Sequence, residues 1–210
     1  MVPIYKGGVK PKDDVASYRP VSLTSFLCKV IEKLISVRIM KYVDEQGILS
    51  DNQFGFRNGR NCEQMLVKFF HLICKTLDDR KCNLVDGIFL DFSSAFDKVD
   101  HNLLLTKLHS IGIRGFLLQW IQDFFSQLKQ QVVFKGAVSD WCPVTSGVPQ
   151  GSVLGPIFFV LFVNDINNVV SSPLFQFADD HTVLRPILSE RDHIALQNDI
   201  HNIFQWTLRI

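Results

Sequence analysis

Apolar positions recur along this chain with two different periods, and the changes of period divide it into elements. After Thr24 or Ser25, either of which can cap a helix, Leu27, Val30, Ile31, Leu34 and Ile35 share one side of a 3.6-residue repeat. This spacing predicts an amphipathic helix running to about Val43. Asn61 with Gln64 has the spacing of a capping box. It predicts a second helix with Met65, Leu66, Phe69, Phe70 and Ile73 on its apolar side. The period then shortens, and Gly87–Phe92 reads as a strand. Asp100 caps a short helix that stops at Gly112, and another helix covers about Phe116–Ser126. Gln131 to Val138 alternates like one arm of a strand hairpin. Ser152–Val170 reads as an apolar helix entered through a Gly/Pro-rich turn. Leu174–Ala178 and His181–Leu184 read as two strands around Asp179-Asp180. Ser189 with Asp192 starts a last helix bearing Ile194, Ile200, Ile203 and Phe204. Near the N-terminus, the Gly-Gly, Pro and Asp-Asp cluster at 7–14 reads as a loop or hairpin tip between two short extended pieces. Helices and strands mix without a regular βαβ rhythm. The expected class is therefore α+β, with helices packed on one side of an antiparallel sheet.

A chain of 210 residues suits one large domain or two small ones. With 47% hydrophobic and 20% charged residues it can bury a core, which excludes a disordered tail. Five cysteines, an odd number without a CxxC pair, argue against a disulfide scaffold and for a reduced, intracellular setting. Cys28, Cys62 and Cys74 fall in helical apolar stretches and are expected in the core. No zinc spacing is present among the histidines and cysteines. The apolar runs fall short of the ~18 residues of a membrane span, and the first residues carry no apolar signal core. No membrane partner is expected.

The net charge of +1 conceals a split. Residues 1–85 hold 14 Lys and Arg against 9 Asp and Glu; residues 86–210 hold 8 against 12. A basic and an acidic half suit a protein that holds a polyanion with one part and metal ions with the other. Chance fluctuation of surface charge accounts for the split equally well.

The acidic half contains the candidate chemistry. Nucleotidyl transfer uses two divalent cations about 4 Å apart, and magnesium takes hard oxygen ligands, one or two carboxylates plus substrate phosphates. Asp91 ends an apolar strand, where a carboxylate is costly without a cation or donors. Asp179 and Asp180 are adjacent and repel each other between two strands, which invites a metal. By itself an Asp-Asp pair is also ordinary turn chemistry.

Five blocks read together narrow the choice. They are Tyr18-Arg19-Pro20-Val21-Ser22-Leu23; Gln53-Phe54-Gly55-Phe56-Arg57; the run Phe89 to His101 containing Asp91, Phe96 and Asp97; the run Gly147 to Pro156 containing Pro149-Gln150-Gly151; and Phe177-Ala178-Asp179-Asp180. In this order they resemble two finger motifs and motifs A, B and C of the reverse transcriptase domain of non-LTR (LINE-type) retrotransposons, over roughly residues 3–208.

The resemblance implies a right-hand polymerase fold, with fingers at about 1–85 and 113–145 and a palm at about 86–112 and 146–210. It implies that Asp91, Asp179 and Asp180 are catalytic and, with the carbonyl of Phe92, hold two Mg²⁺ or Mn²⁺ ions. Arg19, Phe96, Gln150 and Gly151 would contact the dNTP. Arg19 would grip the triphosphate as a planar guanidinium, and Phe96 would exclude a 2′-hydroxyl. Arg57 and Lys129 would contact nucleic acid, the partners being an RNA template and a DNA primer. His181 departs from the small residue frequent after the Asp pair. Ser94 and Leu128 stand where Lys and Arg are frequent. After motif C the family pattern continues into a lysine motif, a primer grip and a thumb. The chain therefore reads as fingers and most of a palm, thumb absent, and is expected to extend primers poorly by itself. The reading is an RNA-directed DNA polymerase domain. One alternative is an inactive remnant that at most binds nucleic acid. Another is an RNA-dependent RNA polymerase, disfavoured by Phe96 and the Phe-Ala-Asp-Asp block.

Overall fold

The computed structural model describes residues 1–79, 82 and 84–210. The strands and α-helices follow in the order β1 (Val2–Tyr5), β2 (Tyr18–Val21), α1 (Phe26–Glu45), α2 (Cys62–Asp78), β3 (Val85–Asp91), α3 (His101–Ser110), α4 (Gly115–Ser126), β4 (Lys129–Gln130), β5 (Val133–Phe134), β6 (Ala137–Val138), β7 (Cys142–Pro143), α5 (Gly155–Val163), β8 (Leu174–Phe177), β9 (Asp180–Pro186) and α6 (Glu190–Thr207). Every strand pairing among them is antiparallel, so the class is α+β. Among the described residues no helix is long and apolar enough to cross a membrane.

The chain forms two compact units. The first comprises residues 1–41 and 96–159, the second 42–95 and 160–210. These cuts fall elsewhere than the boundaries at 85/86, 112/113 and 145/146 that the resemblance implies for fingers and palm. Residues 42–85 cluster with the β3-β9-β8 sheet because segment 52–54 is hydrogen-bonded to the edge of β8.

In the first unit, β1 and β2 form the expected hairpin around the 7–14 loop, in register Val2↔Val21 to Tyr5↔Tyr18. The Asp100 carboxylate caps α3 by accepting from the Leu103 N–H at 2.7 Å. Leu104, Leu108, Ile121 and Phe125 of α3 and α4 are buried. The stretch 131–138 is a whole hairpin rather than one arm. β5 turns directly into β6 at Lys135-Gly136, both in the left-handed region at φ 48° and 84°. Two successive residues of that kind match the right-handed twist of a tight hairpin.

Helix α1 begins as expected, with the Ser25 hydroxyl accepting from the Cys28 N–H, but buries the other side. Leu27, Val30, Ile31 and Leu34 are exposed, and Glu32, Ser36, Ile39 and Met40 are buried. Glu32 decides the orientation. Its Oε2 accepts from the backbone N–H groups of Val153 (2.7 Å) and Leu154 (3.1 Å), which precede α5. A carboxylate with two charge-assisted bonds outweighs the exposure of single apolar side chains.

In the second unit, β9 is the centre of a three-stranded sheet in the order β3-β9-β8. Alternation puts Leu90, His181 and Gln176 on one face and Asp91, Asp180 and Phe177 on the other. Helices meet both faces, not one. Trp206 of α6 reaches Phe92, whose ring stands edge-on to His181 on the first face. Phe69 of α2 meets Phe175 on the second. β8 is consequently buried on both sides, as its run Leu174-Phe175-Gln176 shows. Segment 52–54 covers its outer edge, because Gln176 N–H donates to the Asn52 carbonyl and Phe54 N–H to the Gln176 carbonyl. An edge closed in this way cannot recruit a foreign strand.

Helices α2 and α6 start at the capping boxes read from Asn61/Gln64 and Ser189/Asp192. The Leu188 N–H, with help from Ser189 and Arg185, holds the Asp192 carboxyl below the usual carboxylate range. The apolar run after Ser152 is helical only to Val163. A 3-10 turn follows, where Asn164 bonds the backbone of Ile48 and Ser50. The cysteine expectation fails: Cys28, Cys62 and Cys74 are exposed and Cys82 is buried. Cys28 lies on the outward side of α1, Cys62 opens α2, and Cys74 shares the outer side of α2 with Val67, Phe70 and Leu77.

Candidate active site

In the second unit the carboxylates gather at one end of the sheet. Asp91 is the last residue of β3 and Asp180 the first of β9, and the two are direct cross-strand partners. Directly opposed residues share a face, so two negative charges confront each other at the sheet end, an unfavourable pairing without a counter-ion. Asp179 is the second residue of the two-residue turn joining β8 to β9; the first, Ala178, adopts φ 57°. Thus 88 positions of sequence between Asp91 and Asp179 are closed by strand pairing. Asp91 and Asp180 are exposed and Asp179 half-buried. Among the described residues no hydrogen bond or ion pair engages these three carboxylates.

Nor, among the described residues, are three His, Cys, Asp or Glu side chains gathered as a self-sufficient metal centre. The arrangement is an open one: two opposed carboxylates, a third beside them, and only hard oxygen donors. That donor set fits Mg²⁺ or Mn²⁺, which complete their shells with water and substrate phosphates.

His181 follows Asp180 without crowding it, because alternation sends the ring to the opposite face. There it is 1% exposed. Its Nδ1 lies 3.1 Å from the Asp179 carbonyl, which can only accept, so Nδ1 carries the proton. Nε2 then accepts from the Gln176 side-chain NH₂ at 2.8 Å, and the Gln176 Oε1 accepts from Asn167 at 2.9 Å. Burial pushes the imidazole down from 6.5 to about 4, against the raising effects of the Asp179 carbonyl and the Asp180 charge. A neutral ring therefore underpins the turn. The Phe92 ring packs on it with centroids 5.0 Å apart.

The first unit collects Phe96, Gln150 and Gly151. Gln150 Nε2 donates to Asp97 Oδ1 at 2.9 Å, and the Gln150 carbonyl accepts from the Ser22 N–H at 2.7 Å. A Cβ on Gly147 would lie 2.8 Å from the Asp97 Cα, and one on Gly151 would lie 2.7 Å from the Ser22 carbonyl oxygen. With φ of 89° and 105°, both positions require glycine. The Phe96 ring is half-buried and stacked on Phe159, centroids 4.3 Å apart. Gln150 and Asp97 line an open cavity of about 780 Å³, which Lys129, Trp120 and Trp141 also border.

Arg19 is exposed on β2, opposite Ile4. Lys129 is exposed on β4. Arg57 is engaged internally: its guanidinium donates to the Ser50 carbonyl at 2.9 Å and pairs with Asp44 at 3.3 Å, leaving 11% of the side chain exposed.

Several residues at these clusters carried no role in the sequence. Asp97 anchors Gln150, and His101 bonds the Gly147 carbonyl at 2.7 Å while stacking on Phe125. Both lie inside the Phe89–His101 block, which was a signal that pointed to them. Gln176 and Asn167 gave none, because a buried amide in an apolar run has no periodic signature.

The family described as reverse transcriptase (RNA-dependent DNA polymerase) matches residues 10–209. The "Probable RNA-directed DNA polymerase from transposon X-element" of Drosophila melanogaster is 35% identical, over 98% of this chain and 23% of that protein. The RNA-directed DNA polymerase from mobile element jockey of Drosophila funebris is 35% identical, over 80% of this chain and 18% of that protein. The chain thus spans about a quarter or less of the length of these relatives. Among solved structures, apo telomerase from Candida tropicalis truncated from its C-terminal domain aligns with a TM-score of 0.55 at 12% identity, over 86% of this chain and 41% of that one. Telomerase from the same organism in complex with the TWJ fragment of telomeric RNA aligns with a TM-score of 0.58 at 13% identity, over 83% and 31%. At such identities the likeness is one of fold.

Proposed function

Because the chain belongs to the reverse transcriptase (RNA-dependent DNA polymerase) family, we propose that it contributes the polymerising chemistry of a non-LTR retrotransposon protein. A primer 3′-hydroxyl attacks the α-phosphate of a dNTP opposite an RNA template, and pyrophosphate leaves. The observation that carries this reading is the confrontation of Asp91 with Asp180, beside Asp179, with no donor to these carboxylates among the described residues. Asp91, Asp179 and Asp180, with the Phe92 carbonyl, would hold two divalent cations. When bound, such ions supply the acidity that activates the hydroxyl and the charge that balances the leaving group.

Gln150, which lines the cavity, and the exposed Gly151 would contact the dNTP, and Arg19 would meet its phosphates. Lys129 would contact a nucleic-acid backbone. Arg57 would do so only with the donors that Ser50 and Asp44 leave free. Fingers at about 1–85 and 113–145 and a palm at about 86–112 and 146–210 belong to the same proposal.

Phe96 would wall off the 2′ position of the sugar. Phe96→Val should raise ribonucleotide incorporation about tenfold relative to deoxynucleotides, since a wall acts by clash and shrinking it relaxes exclusion. The ratio of the two kcat/KM values measures this, with the melting temperature confirming that losing the Phe159 stack leaves the fold intact. An unchanged ratio makes Phe96 a core aromatic.

The test of the activity is primer extension on an RNA template with dNTPs and Mg²⁺ or Mn²⁺. It is run on the 210-residue chain and on a chimera extended with the downstream segment of a relative. Extension by the chimera that Asp179→Ala abolishes supports the reading. A folded chimera that extends nothing rejects it in favour of the inactive remnant.

A further inference from the structure

The block Gln53-Phe54-Gly55-Phe56-Arg57 matches a family motif, yet neither the sequence nor the proposed chemistry uses its first residue. We propose that Gln53 is a positioning residue for the carboxylate turn: its side-chain oxygen holds the Ala178–Asp179 backbone and thereby sets where Asp179 and Asp180 present their carboxylates. The consequence for metal binding rests on the function proposed above; the brace itself does not.

The turn needs a brace. Ala178 occupies the left-handed region at φ 57°, which costs free energy for any residue with a Cβ. Its N–H finds its acceptor outside the sheet. Gln53 Oε1 accepts from Ala178 N–H at 3.2 Å and from Gly55 N–H at 2.8 Å. Gln53 is 1% exposed, so water does not replace that acceptor. The Gln53 backbone is fixed in turn by its bridge to Gln176 and by the Asn52 and Phe54 bonds to β8.

Glycine at 55 is part of the device. A Cβ there would lie 2.4 Å from the Ala178 nitrogen, so any larger residue would push the brace off the turn. His181 also bonds the turn, through the Asp179 carbonyl. The Gln53 Nε2 is buried and finds no partner among the described residues. An amide retained at the cost of an orphaned donor is poorly explained by stability alone. It is explained if the two bonds made by its oxygen are what matters.

The test combines amide hydrogen exchange with Mn²⁺ binding on the ¹⁵N-labelled 210-residue chain. In the wild type the Ala178 amide should be protected although it sits at a hairpin tip. In Gln53→Met, which keeps the volume and removes the acceptor, the Ala178 and Gly55 amides should exchange about tenfold faster or more. Amides of α3 and α4 should not change. The Mn²⁺ dissociation constant should rise severalfold. Gln53→Glu, which retains an acceptor oxygen, should keep Ala178 protected.

Free exchange of Ala178 in the wild type overturns the proposal, as does equal protection in Gln53→Met. So does faster exchange with Mn²⁺ affinity unchanged from a wild type that binds, because Gln53 would then hold the turn without positioning the carboxylates. Should Gln53→Met fail to fold, the wild type and Gln53→Glu still decide. A wild-type chain that binds no Mn²⁺, with Asp179→Ala indistinguishable from it, rejects the metal reading, and the positioning role falls with it even where the exchange pattern demonstrates the brace.

Discussion

Asp91→Asn should abolish primer extension and, in the same protein, raise the melting temperature. The two effects have one cause. Asp91 faces Asp180 across the β3–β9 ladder, and no donor among the described residues relieves the pair. Opposed like charges on neighbouring strands cost about 0.2–1 kcal/mol, so neutralising one should stabilise a chain of this size by about 1–3 °C. A carboxylate that binds a metal loses a full charge and a ligand in the same change. A loss of about 10³-fold in rate corresponds to ~4 kcal/mol of transition-state stabilisation, within what a metal ligand supplies. Asp179→Ala should be as damaging to extension. The comparison is made in the extended chimera, by single-turnover extension and thermal unfolding. An Asp91→Asn protein that extends primers within tenfold of wild type would remove Asp91 from the catalytic set. A lowered melting temperature would show that the confrontation is already compensated.

The second large effect is a loss of stability in mild acid, traced to His181. The folded ring titrates near 4 because burial disfavours its charged form, whereas the unfolded chain takes up the proton near 6.5. Between those values the unfolded state binds more protons, so stability rises with pH. The contribution is complete above about pH 6.5 and is lost as pH falls towards 4, at a slope approaching ~1.4 kcal/mol per unit and about 3 kcal/mol in all. Denaturant unfolding at several pH values between 7.5 and 4 measures it. His181→Asn should flatten the curve in that window, whatever it does to stability at pH 7.5. Parallel curves for the two proteins would place the titrating group elsewhere.

Local signals placed most of the elements. The capping boxes at Asn61 and Ser189, the Asp100 cap and the stop at Gly112 all act within one helical turn, so they were legible without knowledge of the fold. That β8 and β9 are neighbours was legible for the same reason, but their register was not: the turn is Ala178-Asp179 rather than Asp179-Asp180, so Phe177 pairs with Asp180. Where a choice between faces had to be made, the sequence misled. The apolar stripe of α1 pointed to one side, and Glu32 turned the other side inward by bonding backbone more than a hundred residues away. Cys28 and Cys74 went outward with the faces that carry them.

The candidate site divides along the same line. By itself the sequence singled out the candidate residues, Asp91 at a strand end and the Asp179-Asp180 pair, and the motif blocks whose order identifies the family. Those are properties of residue type and short spacing. Only the tertiary structure decided that Asp91 meets Asp180 in register, that His181 points away from the carboxylates into a neutral buried network, and that Gln53 and Gly55 close on the turn at Ala178. Each is a contact between segments far apart in the chain. Such contacts follow from strand pairing and from the need of buried amides and carboxylates for partners, which no local pattern encodes.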